Sequence, residues 1–411
     1  MKNRPPATEA EIQALPNIVE LVERLNKSEE EVFVGEGSWE ETIHLVQTNV
    51  PGWIDNPSVD FANAANENAF VFKRLDSKRY CLKPNLRSHR FIYRGQNKPY
   101  DKIQSSFARK NQDEKLVSNL KYADFKFLVQ SHPLFMLFDR GIYLPPIKKP
   151  VFLEMNYWGL AQHYGFNTGL VDFTTDISVA AFFAVTKYIG NDKYEPVTNI
   201  SDFPFGVIYV HRLHPAFSFK TSYRTIGLQV FPRTSKQKGL FFQEGSPLRC
   251  EDTVEAFYFR HVPDLSLRIY SEMNHGTDLF PEDLLAPYAR EILDDNSISG
   301  QAFAYNLYVN PSDDMQTNLN RIWNLGYEVD FHKAWIFTEE MLDPYYRDIK
   351  NGVWEAFCRQ IYIEGKDAER IKDSLLTIPH RPEYAQYFDR REFGRLQYHA
   401  IDERRRAMRL L

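Results

Sequence analysis

The chain has 411 residues, of which 43% are hydrophobic, 15% aromatic and 26% charged, a composition that excludes a disordered, collagenous or low-complexity protein. A net charge of −5 supplies no global attraction to nucleic acid or acidic membranes. Three widely separated cysteines, Cys81, Cys250 and Cys358, argue against a disulfide framework and a cysteine-based zinc site, and point to a reducing compartment.

At about 100–200 residues per domain, the length predicts two or three structural units. Near the amino terminus Pro5, Pro6, Glu9 and Glu11 stand where a secretory signal needs an apolar run. No apolar stretch approaches the roughly 20 residues of a bilayer span. The expected location is the cytoplasm, with no membrane association.

Ile12, Leu15, Ile18, Leu21, Val22 and Leu25 recur at helical spacing around Pro16 and predict a helical lead-in ending near Asn26. From there to about residue 75, turn signals such as Pro51-Gly52 and Asn56-Pro57 mark an irregular arm. Phe91-Ile92-Tyr93 predicts a strand that stops at Gly95 and delivers Arg94 to a turn. Residues 118–138 read as helix interrupted at Pro133, and residues 152–164 as a helix capped by Gly165.

Leu170-Val171 reads as a short strand, residues 172–176 as a capping turn, and residues 177–188 as a buried apolar helix. Further strands are expected at 206–211, 227–231, 240–242 and 254–259. After Pro311 the pattern becomes helical, at 315–325, 338–346, 351–361 and 368–376. The fold class expected is α+β, a small mixed sheet flanked by helices with a helical carboxyl-terminal extension. It divides into an arm (1–87), an α+β core (88–311) and a helical unit (312–411).

Chemistry concentrates in a few motifs. In Tyr93-Arg94-Gly95-Gln96, followed by Tyr100 and Ser105-Ser106-Phe107-Ala108-Arg109, a guanidinium at a strand end either binds an anion such as phosphate bidentately or pairs with a carboxylate such as Asp172. A second pattern runs through Gln162-His163-Tyr164-Gly165, Leu170-Val171-Asp172-Phe173-Thr174 and Ala180-Ala181-Phe182-Phe183-Ala184. A third is Gln237-Lys238-Gly239-Leu240-Phe241.

Together these elements resemble the FRG family, whose signature is a Phe/Tyr-Arg-Gly followed by Gln-His-Tyr-Gly, a Leu-Leu-Asp-Trp-Thr-like turn, an Ala-rich helix and a late Gln-x-Gly-x-Phe. The likeness covers roughly residues 88–245. It departs from the family at Asn167-Thr168-Gly169, where Pro-Thr-Arg is usual, so the role of that arginine is unfilled here. The resemblance implies a bacterial or phage conflict setting.

The motif order is also similar to that of ADP-ribosyltransferases, which implies NAD as cofactor. Cleavage of the nicotinamide bond develops positive charge on the ribose and requires a carboxylate. In this reading Arg94, Thr174 and Glu244 are the catalytic set, with Glu251 and Glu255 as rivals to Glu244. Tyr93, Gln96, Arg109, His163, Asp172, Thr175 and Gln237 are the ligand-binding set. The alternative is a non-catalytic module that recognises a nucleotide, nucleic acid or phage protein.

Each residue also has a plainer role. Thr174 and Asp176 suit helix capping, and Glu244 a solvated loop. His163 suits either general base chemistry or carbonyl contacts at a helix end. His211 and His214 have no companion ligands, so no metal is expected. The basic run Arg404-Arg405-Arg406 with Arg390, Arg391, Arg395 and Arg409 fits a salt-bridged helix face or a nucleic-acid contact. Dinucleotide-fold, phosphate-loop, hydrolase and zinc-protease signatures do not occur.

Overall fold

The computed structural model describes residues 4–35, 70–74, 79–84, 89–100, 102–146, 148–213, 223–224, 226, 231–243, 254–310, 314–362 and 368–408. The expected strand at 227–231, except residue 231, and most of the arm lie outside these residues; where the arm is described it is not irregular, because the lead-in helix runs on past Asn26 as Ile18–Gly35 and Phe70–Arg74 is a strand. The class is α+β.

The central sheet has six strands, in spatial order Tyr223–Arg224, Gly239–Gln243, Leu170–Thr174, Phe91–Gln96, Phe205–Arg212 and Val254–Arg260. Every pairing in it is antiparallel. Mixed pairing, expected here, occurs instead in a second sheet. There Phe70–Arg74 runs parallel to Ile361–Tyr362 and antiparallel to Arg79–Pro84.

Strand alternation sends Ile92 and Tyr93 to opposite faces of the central sheet. Ile92 joins Val171, Phe173, Val207 and Leu240 in one buried cluster, whereas Tyr93 joins Ile208, Phe259 and the helix Ile177–Val185 in another. That helix is apolar on nearly every side and is buried accordingly. Gly95 lets it come close, because a Cβ there would stand 2.8 Å from both the Ala180 carbonyl carbon and the Ala184 nitrogen. This contact joins the Arg-Gly pair to the Ala-rich stretch.

Two expected helices are shorter than their periodicity. The helix Tyr157–His163 begins only after the strand Lys149–Leu153, with Asn156 as its cap, its Oδ1 accepting from the Gly159 amide at 3.1 Å. The apolar helix at 177 ends at Val185, and Thr186–Gly190 turns back as a hairpin with Lys193–Pro196. Asn191 and Asp192, with φ of 50° and 58°, make its two-residue turn, a conformation that Asn and Asp tolerate.

A third cluster is the largest and draws on distant parts of the chain. Phe125, Phe135 and Phe138 pack there with Phe241 and Phe337, Leu342, Trp354 and Tyr387. The helices Pro263–Glu272, Ala286–Asp294 and Gly300–Val309 occupy a stretch for which periodicity specified no element. Among the described residues, no helix is long and apolar enough to cross a membrane.

Candidate functional site

A cleft of ≈ 630 Å³ opens where the Phe91–Gln96 and Leu170–Thr174 strands, the end of the Tyr157–His163 helix and the Thr186–Pro196 hairpin come together. Its lining includes Tyr93, Arg94, Gln96, Arg109, His163, Asp172, Thr174 and Gln237, eight of the residues selected from sequence. Thr175 is buried beside it but does not line it. Glu244 and Glu251 lie outside the described residues. Glu255 is exposed on the Val254–Arg260 edge strand, two strands from Arg94, and the structure does not bring it to the cleft.

Arg94 is anchored rather than free. Its Nη1 donates to the Asp172 carbonyl at 3.0 Å and stands 3.8 Å from Asp172 Oδ2, while Nε is buried without a hydrogen-bond partner. The pairing with Asp172 expected of Arg94 is thus observed, and Nε is the buried donor that it leaves unmet. Asp172 Oδ1 in turn accepts from Gln162 Nε2, and Gln162 Oε1 accepts from the Thr168 hydroxyl. At the Asn167-Thr168-Gly169 departure, a neutral Thr168–Gln162 relay thus orients Asp172.

His163 sits deeper. Its ring is buried and meets the edge of Phe241 with centroids 5.5 Å apart, and neither ring nitrogen has a hydrogen-bond partner. Gln237 stands near the ring outside hydrogen-bond geometry, its Nε2 donating instead to the Leu279 carbonyl at 3.0 Å. Burial lowers the His163 pKa; Asp172 opposes this and Arg233 adds to it. Gln96 Oε1 is a further buried polar atom without a partner at the cleft.

Thr174 is committed to the fold. Its hydroxyl donates to the Gln237 carbonyl at 2.8 Å and accepts from the Asp176 amide at 3.0 Å, tying the Leu170–Thr174 strand to the Gln-x-Gly turn. Asp176 caps the next helix by accepting from the Ser178 amide at 2.9 Å, and pairs with Lys238 at 2.9 Å. The capping expected of Asp176 is thus observed.

The balance of charge in the cleft is positive, with Arg94, Lys98, Arg109 and Lys187 against Asp172 and Asp192. Asp192 is already taken by Arg233, whose side chain is 1% exposed and whose Nη1 lies 2.6 Å from Asp192 Oδ2. Arg233 also donates to the carbonyls of His163 and Pro281, each at 3.3 Å, and lies over the Tyr164 ring at 4.7 Å. It binds the hairpin tip, the His163 helix end and the segment carrying Phe280 to one another.

Sequence reasoning missed Arg233, as it lies four residues before the motif at Gln237 and no local pattern marks a buried cation. The hairpin was also missed, although Gly190-Asn191-Asp192 between Tyr188 and Tyr194 carries a turn signal. Glu29, in the helix Ile18–Gly35, is a third omission. Its carboxylate accepts from the Tyr93 hydroxyl at 2.6 Å and from the Arg90 and Phe91 amides at 2.6 and 2.9 Å, fixing the start of the Arg94 strand.

The fold and site thus define an α+β domain with a cationic cleft over an antiparallel sheet, built from an Arg-Gly pair inside the Phe91–Gln96 strand, which runs past the expected stop at Gly95, and a buried histidine. In a comparison with protein families, the FRG domain model matches residues 89–193, so the chain carries an FRG domain. That segment holds Arg94, His163, Asp172 and the hairpin turn, but not Arg233, Gln237 or Gly239. No curated protein and no solved structure matches the chain.

Proposed function

We propose that the cleft binds a phosphorylated nucleotide, NAD first among candidates, and that the chain is an NAD-using, ADP-ribosyltransferase-like effector of a bacterial or phage conflict system. The observation that supports this is a single one. Arg94 Nε, Gln96 Oε1 and both nitrogens of His163 are buried without partners around one positively charged cleft. Buried polar groups are ordinarily hydrogen-bonded, and a ligand presenting anionic and amide-like groups satisfies all four.

Glycosidic cleavage in addition needs a carboxylate within about 3 Å of the reacting ribose. Glu244 is the residue assigned to that role here. One observation favours a second reading, a non-catalytic module that senses a nucleotide, nucleic acid or phage protein. Among the described lining residues the carboxylates are Asp172 and Asp192, and both are held by protein donors.

The test incubates purified protein with NAD and cell extract and follows nicotinamide release by chromatography, with Arg94→Ala and Glu244→Ala alongside. Release abolished by both substitutions supports the effector. A rise in melting temperature with NAD but no release assigns the binding module. Neither release nor stabilisation overturns the nucleotide reading.

A further inference from the structure

Two paired strands converge on His163, one carrying Asp172 and the other Gly239 and Phe241. Gly239 faces it so closely that a Cβ there would stand 2.7 Å from Nε2, the Phe241 ring meets it edge-on, and Asp172 lies near enough to act on its charge. The imidazole is 7% exposed, lines the cleft, and has neither nitrogen bonded. A histidine kept only for packing is more economically replaced by an apolar ring, because each unmade hydrogen bond costs about 1–3 kcal/mol.

The two lining groups also differ in kind. Arg94 offers a permanently charged donor, which suits a phosphate oxygen. A neutral imidazole offers one donor and one acceptor, which suits an uncharged N–H and C=O side by side. Burial disfavours the imidazolium, with Arg233 adding to it, and outweighs the opposing influence of Asp172 and Gln237.

We propose that His163 is a specificity-determining residue that reads an uncharged amide-like edge, a nucleobase or a carboxamide, of the ligand whose phosphate lies at Arg94. This rests on the nucleotide reading above and adds what the site selects. Gly239 is its positioning residue, since any side chain there displaces the ring.

The experiment measures binding of NAD, ADP-ribose, nicotinamide mononucleotide and inorganic pyrophosphate by calorimetry, to the wild type, His163→Ala, His163→Gln, Gly239→Ala and Arg94→Ala. His163→Ala and Gly239→Ala should weaken NAD at least tenfold and leave pyrophosphate unchanged, which also reports that the cleft is intact. His163→Gln should recover part of the loss. Arg94→Ala should weaken both.

Whichever of ADP-ribose and nicotinamide mononucleotide keeps the His163 dependence carries the edge that is read, adenine or carboxamide. Equal weakening of NAD and pyrophosphate by His163→Ala, or no change in either, overturns the inference while leaving a phosphate site at Arg94. Failure of the wild type to bind both NAD and pyrophosphate overturns the nucleotide reading, and this inference with it.

Discussion

Gly95 and Ala180 are in contact through backbone, with no side chain between the Arg94 strand and the helix Ile177–Val185. A Cβ at residue 95 would meet the Ala180 carbonyl and the Ala184 nitrogen, neither of which can rotate away. Gly95→Ala should therefore force the helix off the sheet and cost at least about 3 kcal/mol, the upper range for overpacking. Urea unfolding measures this, and a loss below about 1 kcal/mol would show that the helix is free to shift.

Glu29 serves three donors from residue 29 of a helix that no motif covers. Glu29→Ala leaves the Arg90 and Phe91 amides and the Tyr93 hydroxyl without that acceptor, and should destabilise by about 2–3 kcal/mol. Tyr93→Phe removes one of the three bonds and should cost about 1 kcal/mol. Similar losses in the two variants would show that the amide bonds contribute little.

Arg233 is buried with Asp192 as its one carboxylate partner among the described residues. Asp192→Asn keeps the left-handed turn geometry, which asparagine accepts, and removes only the charge. The uncompensated buried guanidinium should cost about 3 kcal/mol. Amide hydrogen exchange along Thr186–Pro196 should accelerate more than elsewhere, because the hairpin tip loses its tether. Uniform exchange across the chain would show that the pair does not restrain the hairpin in particular.

Asp124 makes stability depend on pH. It lies in the helix Gln112–Gln130 and accepts from the Ser299 hydroxyl and, at 3.2 Å, from the Ser299 amide. Burial pushes its carboxyl from 3.8 up to about 7, against the Ser299 bonds and Lys333. The folded chain thus holds this proton more tightly than the unfolded chain does. Its contribution is complete below about pH 4 and is lost as pH rises to about 7. In urea unfolding at about pH 5 and about pH 8, the wild type should lose ground to Asp124→Asn as pH rises. A difference constant with pH would show that Asp124 is ionised throughout.

Much was legible from local pattern. Strand formers ahead of Gly95, the cap at Asp176 and the apolar run from Ile177 are short-range signals with elements at each, but the strands run on through Arg94 and Gly95 to Gln96 and through Asp172 to Thr174, where turns were expected. Their spacing also carried the FRG resemblance, because motif residues keep their order whatever they touch. The ends of elements were less legible. The helix entering Val185 stops where a hairpin competes for Thr186 and Lys187, and the helix near Tyr157 starts late because Leu153 is claimed by a strand.

What the sequence by itself determined is therefore the α+β class and eight of the residues that line the cleft. Propensity, capping and glycine conformations act over a few residues and are written where they act. Tertiary structure alone decided that the central sheet is antiparallel, that Arg233 closes the hairpin from 41 residues away and that Glu29 secures a strand 61 residues on. It also decided that neither ring nitrogen of His163 has a hydrogen-bond partner. Each is a contact between distant segments, chosen by burial and by which donors remain unsatisfied once the local structure has formed.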